Sequence, residues 1–304
     1  LRTALKEGLP SPLFGPAMKM GQLVRDLLPA SLKNKVPAPQ DAGAWPTRTH
    51  ARKVLMLAGC VQPAMSPNIN SATARVLDAA GIQTVVAGKA GCCGAVRFHL
   101  NDHDGGKADM RANIDAWWPL IESGEVEAIV MNASGCGVMV KDYGHVLADD
   151  PAYAAKAQKV SELTKDLSEL LPALVPALKP LVGQAGRDKK GPGTGRTVAF
   201  HPPCTLQHGQ KLKGGVEQHL AELGLPVQTA RCEAHLCCGS AGTYSVLNPK
   251  LSYELRDRKL GHLAELAPQE IVSANIGCIT HLQSGTDTPV RHWVELLDEA
   301  LTPA

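Results

Sequence analysis

Eight of the nine cysteines in this sequence fall into one pattern that occurs twice. The first copy is Cys60, the adjacent pair Cys92 and Cys93 followed by Gly94, and Cys136. The second is Cys204, the pair Cys237 and Cys238 followed by Gly239, and Cys278. Corresponding positions lie 144, 145 and 142 residues apart. A register kept over three separated stretches marks a duplicated domain, each copy gathering four thiols. Such quartets could bind zinc, exchange disulfides or hold an iron–sulfur cluster. Structural zinc usually takes two C-x2-4-C knuckles, and no such knuckle recurs in both copies. A cluster is several ångströms across and offers several irons, so adjacent thiols on a tight turn can reach different metals. Gly94 and Gly239 remove a Cβ where the backbone must pass close to a bulky body. Gly91, Ala95, Gly135, Gly137, Ser240, Ala241, Gly242 and Gly277 keep the surroundings small. The pattern favours a cluster in each copy.

Several histidines lie near these cysteines. His281 follows Cys278 by three, His99 follows Cys93 by six, His201 precedes Cys204 and His235 precedes Cys237. A histidine ligand raises a cluster's potential, and His281 is the best placed of the four. Otherwise each holds a loop or donates to a sulfur. Cys232 has no counterpart in the first copy and reads as a buried core thiol. Trp117, Trp118 and Trp293 read as core. No Ser/His/Asp set, phosphate-cradling glycine loop or flavin fingerprint is present, so no catalytic residue is assigned.

The elements that must position the thiols alternate between strand and helix. In the first copy, strands are expected over 53–58, 82–87 and 128–132, and helices over 68–80, 107–122 (bent at Pro119) and 156–171. Ala72, Ala74, Val76 and Leu77 form the buried side of the first helix. In the second, strands are expected over 197–201, 226–230 and 270–274, and helices over 216–223, 251–266 and 292–301. This alternation predicts an α/β fold: two tandem homologous domains, related by a pseudo-two-fold, each a small parallel sheet flanked by helices. All six cysteine loops follow the C-terminal ends of strands, the edge where open parallel sheets bind ligands. The domains span 53–182 and 197–304, and the Gly-, Lys- and Pro-rich stretch 183–196 is the linker between them. Residues 1–52 form a basic connector arm carrying Arg2, Lys6, Lys19, Arg25, Lys33, Lys35, Arg48 and Arg52. Within it, 17–28 reads as an amphipathic helix with Met20, Leu23, Leu27 and Leu28 on one side. That side packs on the protein itself or docks on a partner subunit or an anionic membrane surface.

Composition excludes several classes. The 304 residues are 44% hydrophobic and carry a net charge of +2, which gives no field for nucleic acid. No apolar run reaches the about 18 to 20 residues of a transmembrane span. The best candidate, 170–182, is interrupted by Pro172, Pro176, Pro180 and Lys179. A disulfide framework suits small secreted chains rather than one of this size. Reduced thiols in the cytoplasm are the better expectation.

Both copies resemble the cysteine-rich CCG domain found in heterodisulfide reductases and in iron–sulfur subunits of 2-hydroxy-acid dehydrogenases, with those of glycolate oxidases most alike. The stretches GCVQPAMSPNINSATARVLDAAGI, AGCCGAV, NIDAWWP, ASGCGVMVKDYG, PCTLQHGQKL, HLCCGSAGTYS, ANIGCITHLQSG and VRHWVE carry it, over about residues 53 to 301. The resemblance implies an electron relay with iron–sulfur clusters, [4Fe–4S] in type, held by Cys60, Cys92, Cys93, Cys136, Cys204, Cys237, Cys238 and Cys278, with His281 as a further candidate. It implies FAD on a partner subunit of the glycolate oxidase only, and a quinone or other membrane acceptor downstream. It also implies a cytoplasmic location, peripheral on the membrane. Rival readings are a heterodisulfide-reductase-like thiol/disulfide subunit and a lactate-oxidising complex. Such subunits usually begin with a ferredoxin-like domain bearing two C-x2-C-x2-C-x3-C-P runs. No such run lies in this sequence, and residues 1–52 match the connector that follows it. In heterodisulfide reductase a further cysteine lies three after the last; here Met139 and His281 stand at those positions.

Overall fold

The computed structural model describes residues 1–29, 33, 36–185 and 196–302. Lys35 of the arm and residues 186–195 of the expected linker lie outside the described residues. Two compact units emerge: 1–70 with 81–166, and 71–80 with 167–304.

Each unit is built on a four-stranded sheet with every pairing parallel. In the first, β1 (Arg52–Met56), β2 (Ile82–Val85), β3 (Ile129–Met131) and β4 (Thr164–Asp166) lie in the order β2-β1-β3-β4. In the second, β5 (Val198–His201), β6 (Gln228–Thr229), β7 (Glu270–Ser273) and β8 (Val290–His292) repeat it as β6-β5-β7-β8. The central strands β3, β5 and β7 are buried throughout, and β1 is buried from Val54 onward. Their middles are runs of Val, Leu, Ile, Met, Ala and Phe, as strands covered on both faces require, with polar residues such as Lys53, His201, Glu270 and Ser273 at the ends. The strand order reverses between β1 and β3, and between β5 and β7. Each reversal opens a crevice at the C-terminal edge.

The helices lie close to their expected places: Pro67–Ala79, His103–Glu122, Gly215–Glu222, Pro249–Ala264 and Trp293–Leu301. Ala72, Ala74, Val76 and Leu77 are buried as expected. Asp102 caps the long helix by accepting from the Gly105 N–H at 3.1 Å, and Pro119 lies inside it. His292 and Glu295 form a reciprocal cap on the last helix. Trp117 and Trp293 are core, and Trp118 packs partly buried with the Lys156 ammonium 5.1 Å over its ring.

Two expectations need correction, and one stretch that the sequence reading rejected only as a membrane span proves to be helical. The single helix expected over 156–171 is two helices, Ala154–Leu163 and Leu167–Ala185, separated by β4. Three residues are too few to show an alternating pattern, and β4 exists because Thr164, Lys165 and Asp166 find β3 to pair with. The edge strand β8 escaped the sequence reading for the same reason. Next, the proline-rich stretch 170–182 is helical. Pro172, Pro176 and Pro180 recur every fourth residue on the exposed side, and Leu171, Leu174 and Leu178 are buried opposite. Each proline forfeits a helical hydrogen bond, and on an exposed face the deprived carbonyl can be hydrated. Lastly, the arm holds helices Arg2–Gly8 and Phe14–Leu23 and a tight turn Arg25–Leu27 in place of one helix over 17–28. It is tied to the first unit by polar contacts: Lys6 to Asp102 at 3.1 Å, Arg97 to Glu7 at 3.0 Å, and the Gln22 amide to the Ala64 carbonyl at 3.3 Å. Met20, Leu23 and Leu27 are 65%, 83% and 87% exposed, so its apolar side faces outward.

No helix among the described residues is long and apolar enough to cross a membrane.

Candidate metal centres

Each quartet assembles at the C-terminal edge of its own sheet. Cys60 follows β1, and the Cys92–Cys93 pair follows β2. Cys136 lies in the first turn of the helix Ser134–Lys141 that follows β3. Cys204 follows β5, Cys237 and Cys238 follow β6, and Cys278 lies in the first turn of the helix Ile276–Gln283. Free N–H groups at such a turn favour negative charge on sulfur. Cys92, Cys93, Cys238 and Cys278 are buried, Cys60, Cys136, Cys204 and Cys237 are half-buried, and all eight are free thiols.

The sulfurs form a string in each copy, running 60–92–93–136 and 204–237–238–278. The Cys204 and Cys237 Sγ atoms are 3.8 Å apart. In both strings the first cysteine of the pair is the most acidic. The Cys60 and Cys93 thiols donate to Cys92, with the Gly94 and Val96 N–H groups adding. Together they outweigh burial and draw Cys92 down to about 3. Cys204, then Cys238, then the Gly239 N–H at 3.3 Å do the same for Cys237, which falls to about 2. The neighbours move the other way. Cys60 is raised by donating to Cys92, Cys93 by its contacts with Cys136 and then Cys92, and Cys204 and Cys238 by theirs with Cys237. Cys278 is drawn down to about 5, by Cys238 foremost, with His201 and Asn275 adding against burial. Each quartet thus stabilises thiolate, the form that binds metal.

The glycine after each pair has a left-handed backbone, φ +88° at Gly94 and +86° at Gly239. A Cβ at Gly94 would lie 2.8 Å from the Gly106 carbonyl, and one at Gly239 would collide with the Ser252 carbonyl. The body that lies against each glycine is the long helix of its unit, His103–Glu122 in the first and Pro249–Ala264 in the second.

That helix also fastens the loop. In the first copy the buried Asn113 amide donates to the Cys92 carbonyl at 2.7 Å and to the Tyr143 hydroxyl at 3.1 Å, and its Oδ1 accepts from the Gly91 N–H at 2.8 Å. The Tyr143 hydroxyl donates to the Cys93 carbonyl at 2.9 Å. In the second copy the buried Lys259 ammonium donates to the Glu233 and Ala234 carbonyls, and the Ser252 hydroxyl donates to the Gly239 carbonyl at 2.7 Å. None of these supporting residues was singled out by sequence.

The histidines separate. His281 is buried, with Nε2 3.0 Å from Ser252 Oγ and 3.2 Å from its carbonyl, and its ring stacks on Tyr253. His201 ends β5, and one of its ring nitrogens lies with the Cys238 and Cys278 sulfurs in a group whose atoms are all within 4.8 Å of one another. Its place at the rim of the sheet, where the first copy has Leu57, is the signal that marks it. His208, another neighbour of this loop, has Nε2 3.3 Å from the His235 carbonyl. Cys232 is exposed rather than a core thiol; it lies in the loop after the two-residue edge strand β6, too short to draw it inward.

The donor set suits an iron–sulfur centre: soft thiolates, two to a tight turn, half of them buried and half partly so. The comparisons agree. The cysteine-rich domain model CCG matches residues 54–141 and 198–283. The chain is 50% identical to the glycolate oxidase iron-sulfur subunit of Escherichia coli K12, over 99% of this chain and 71% of that protein. It is 28% identical to the probable glycolate oxidase iron-sulfur subunit of Bacillus subtilis, over 78% of this chain and 50% of that one. It is 27% identical to lactate utilization protein A of Bacillus cytotoxicus, over 81% and 98%. Two matched domains, each with its sulfur string at the same sheet edge, and half the residues shared with one relative place this chain in the CCG cysteine-rich domain family, among the glycolate oxidase iron-sulfur subunits.

Proposed function

We propose that this chain is the electron-relaying subunit of a glycolate dehydrogenase complex, with one iron–sulfur centre in each copy. Cys60, Cys92, Cys93 and Cys136 hold the first, and Cys204, Cys237, Cys238 and Cys278 the second. The observation that carries this reading is the convergence of each quartet, drawn from three loops, into one string of sulfurs beside a sheet crevice. The centres supply one-electron transfer; the protein's part is to bind, orient and shield them. The lowered thiols of Cys92, Cys237 and Cys278 offer thiolate at neutral pH, the helix first turns stabilise charge on sulfur, and the glycine turns let each loop pass close to a long helix.

Chemistry on the 2-hydroxy acid belongs to FAD on a partner subunit, which passes electrons singly to this chain. A quinone or other membrane acceptor takes them onward, at the cytoplasmic membrane surface. The centres are [4Fe–4S] in type. The relative named for lactate utilization, aligned along nearly its whole length, favours lactate as the second reading of the substrate.

Zinc is the competing occupant. The 3.8 Å between the Cys204 and Cys237 sulfurs is also the edge of a tetrahedron with Zn–S bonds of about 2.3 Å. Anaerobic purification followed by iron, sulfide and zinc analysis separates the two. The expected result is a brown protein with broad absorption near ~400 nm that co-purifies with a flavoprotein and supports glycolate oxidation. A colourless protein holding zinc and no sulfide refutes the relay.

A further inference from the structure

His201 is the buried group that the four-thiol scheme does not use. Its ring is 1% exposed, and neither ring nitrogen has a hydrogen-bonded nitrogen or oxygen partner. Leaving a buried polar group unsatisfied costs about 1–3 kcal/mol, so an imidazole at this position needs a reason. The fold does not supply one. The equivalent position in the first copy is Leu57, 3% exposed and part of the hydrophobic core. A leucine therefore serves the same strand end. What lies beside His201 is sulfur: its nitrogen, Cys238 Sγ and Cys278 Sγ are mutually within 4.8 Å, and all three residues are buried. The other buried histidine of this region, His281, already has its Nε2 on Ser252.

We propose that His201 is a nitrogen ligand of the metal centre in the second site, taking the terminal position of one of the four thiolates on its iron. The two sites of this chain then hold chemically different centres, one bound by thiolates alone and the other by thiolates and an imidazole. The proposal rests on the iron–sulfur reading above. A neutral imidazole pushes less electron density onto iron than a thiolate does, so the second centre has the higher reduction potential.

The test uses the full chain purified anaerobically with its partner subunits, grown with natural and with nitrogen-15 histidine, and examined by pulsed electron paramagnetic resonance after reduction. The expected result is a strong hyperfine coupling from directly bound imidazole that changes with the isotope. It disappears in His201→Leu and survives in His281→Leu. His201→Cys replaces nitrogen by sulfur, so it keeps a centre, loses the coupling and shifts the second potential downward. It also decides the matter if His201→Leu fails to assemble. Two centres present by iron and sulfide analysis, with no such coupling in the unaltered protein, overturn the proposal and leave the relay intact. A coupling that persists in His201→Leu or His201→Cys overturns it too. Absence of any iron–sulfur centre overturns both readings.

Discussion

The two copies share a sheet order, a sulfur string and a left-handed glycine, yet they surround the sulfurs differently. The first site has Leu57 at the strand end, Ala133 before the helix that carries Cys136, and the neutral Asn113 as its loop clamp. It also has Asp109, whose carboxyl is raised to about 6 by burial and then by the charge on Cys92. The second site has His201, Asn275 with its amide 3.7 Å from the Cys278 sulfur, and the cationic Lys259 as clamp. Duplication has kept what places the sulfurs and exchanged what sets their electrostatics. Donors and positive charge near a cluster raise its potential, and negative charge lowers it. On the proposed reading, the second centre is thus the better electron acceptor.

The largest effect that tests this contrast comes from removing one thiolate. Cys92→Ser should abolish the first centre and spare the second, and Cys237→Ser the reverse, as read by iron content and paramagnetic resonance. Redox titration of the two variants then assigns the midpoints, and a higher midpoint in the Cys237→Ser protein breaks the comparison. The glycines come next. Gly94→Ala and Gly239→Ala each force a residue with a Cβ into a left-handed backbone and against a carbonyl, costing roughly 2–4 kcal/mol in thermal or denaturant unfolding. The loss is greater at Gly239, where the approach is closer.

The clamps separate the copies further. Asn113→Leu leaves the Cys92 carbonyl and the Gly91 N–H without their partner, at roughly 1–3 kcal/mol for each group not rescued by water. Lys259→Met should lower the second midpoint by on the order of tens of millivolts, the size of one charge felt at an effective dielectric of about 20, with the first midpoint unmoved. An equal drop in both would mean that Lys259 acts on the whole molecule. The smallest effect is Ser252→Ala, about 1–2 kcal/mol of stability from the lost contacts with the Gly239 carbonyl and with His281 Nε2, with both midpoints kept.

Much of this architecture was legible in the sequence because the chemistry had been duplicated. Six strand–loop junctions could be located from cysteines alone, and their apolar runs fixed the parallel sheets. The edge strands β4 and β8 were hidden because three residues carry no period. The helix Leu167–Ala185 was obscured because proline reads as a breaker unless its exposed, every-fourth-residue placement is known. His201 was visible near Cys204, but its aim is a tertiary fact: only the pairing of β5 with β7 sets it among Cys238 and Cys278. Asn113 and Lys259 act through backbone carbonyls of loops some 20 residues or more away, which no local pattern records.

The long span of each quartet also bears on biogenesis. The thiols of the first site are complete once Cys136 has been synthesised, and those of the second only when Cys278 has emerged. The first quartet is therefore available to a cofactor before the second has been made. Radio-iron labelling of nascent chains stalled beyond the first unit and beyond Cys278 would show uptake in two steps, and no uptake before Cys278 has emerged would refute this order.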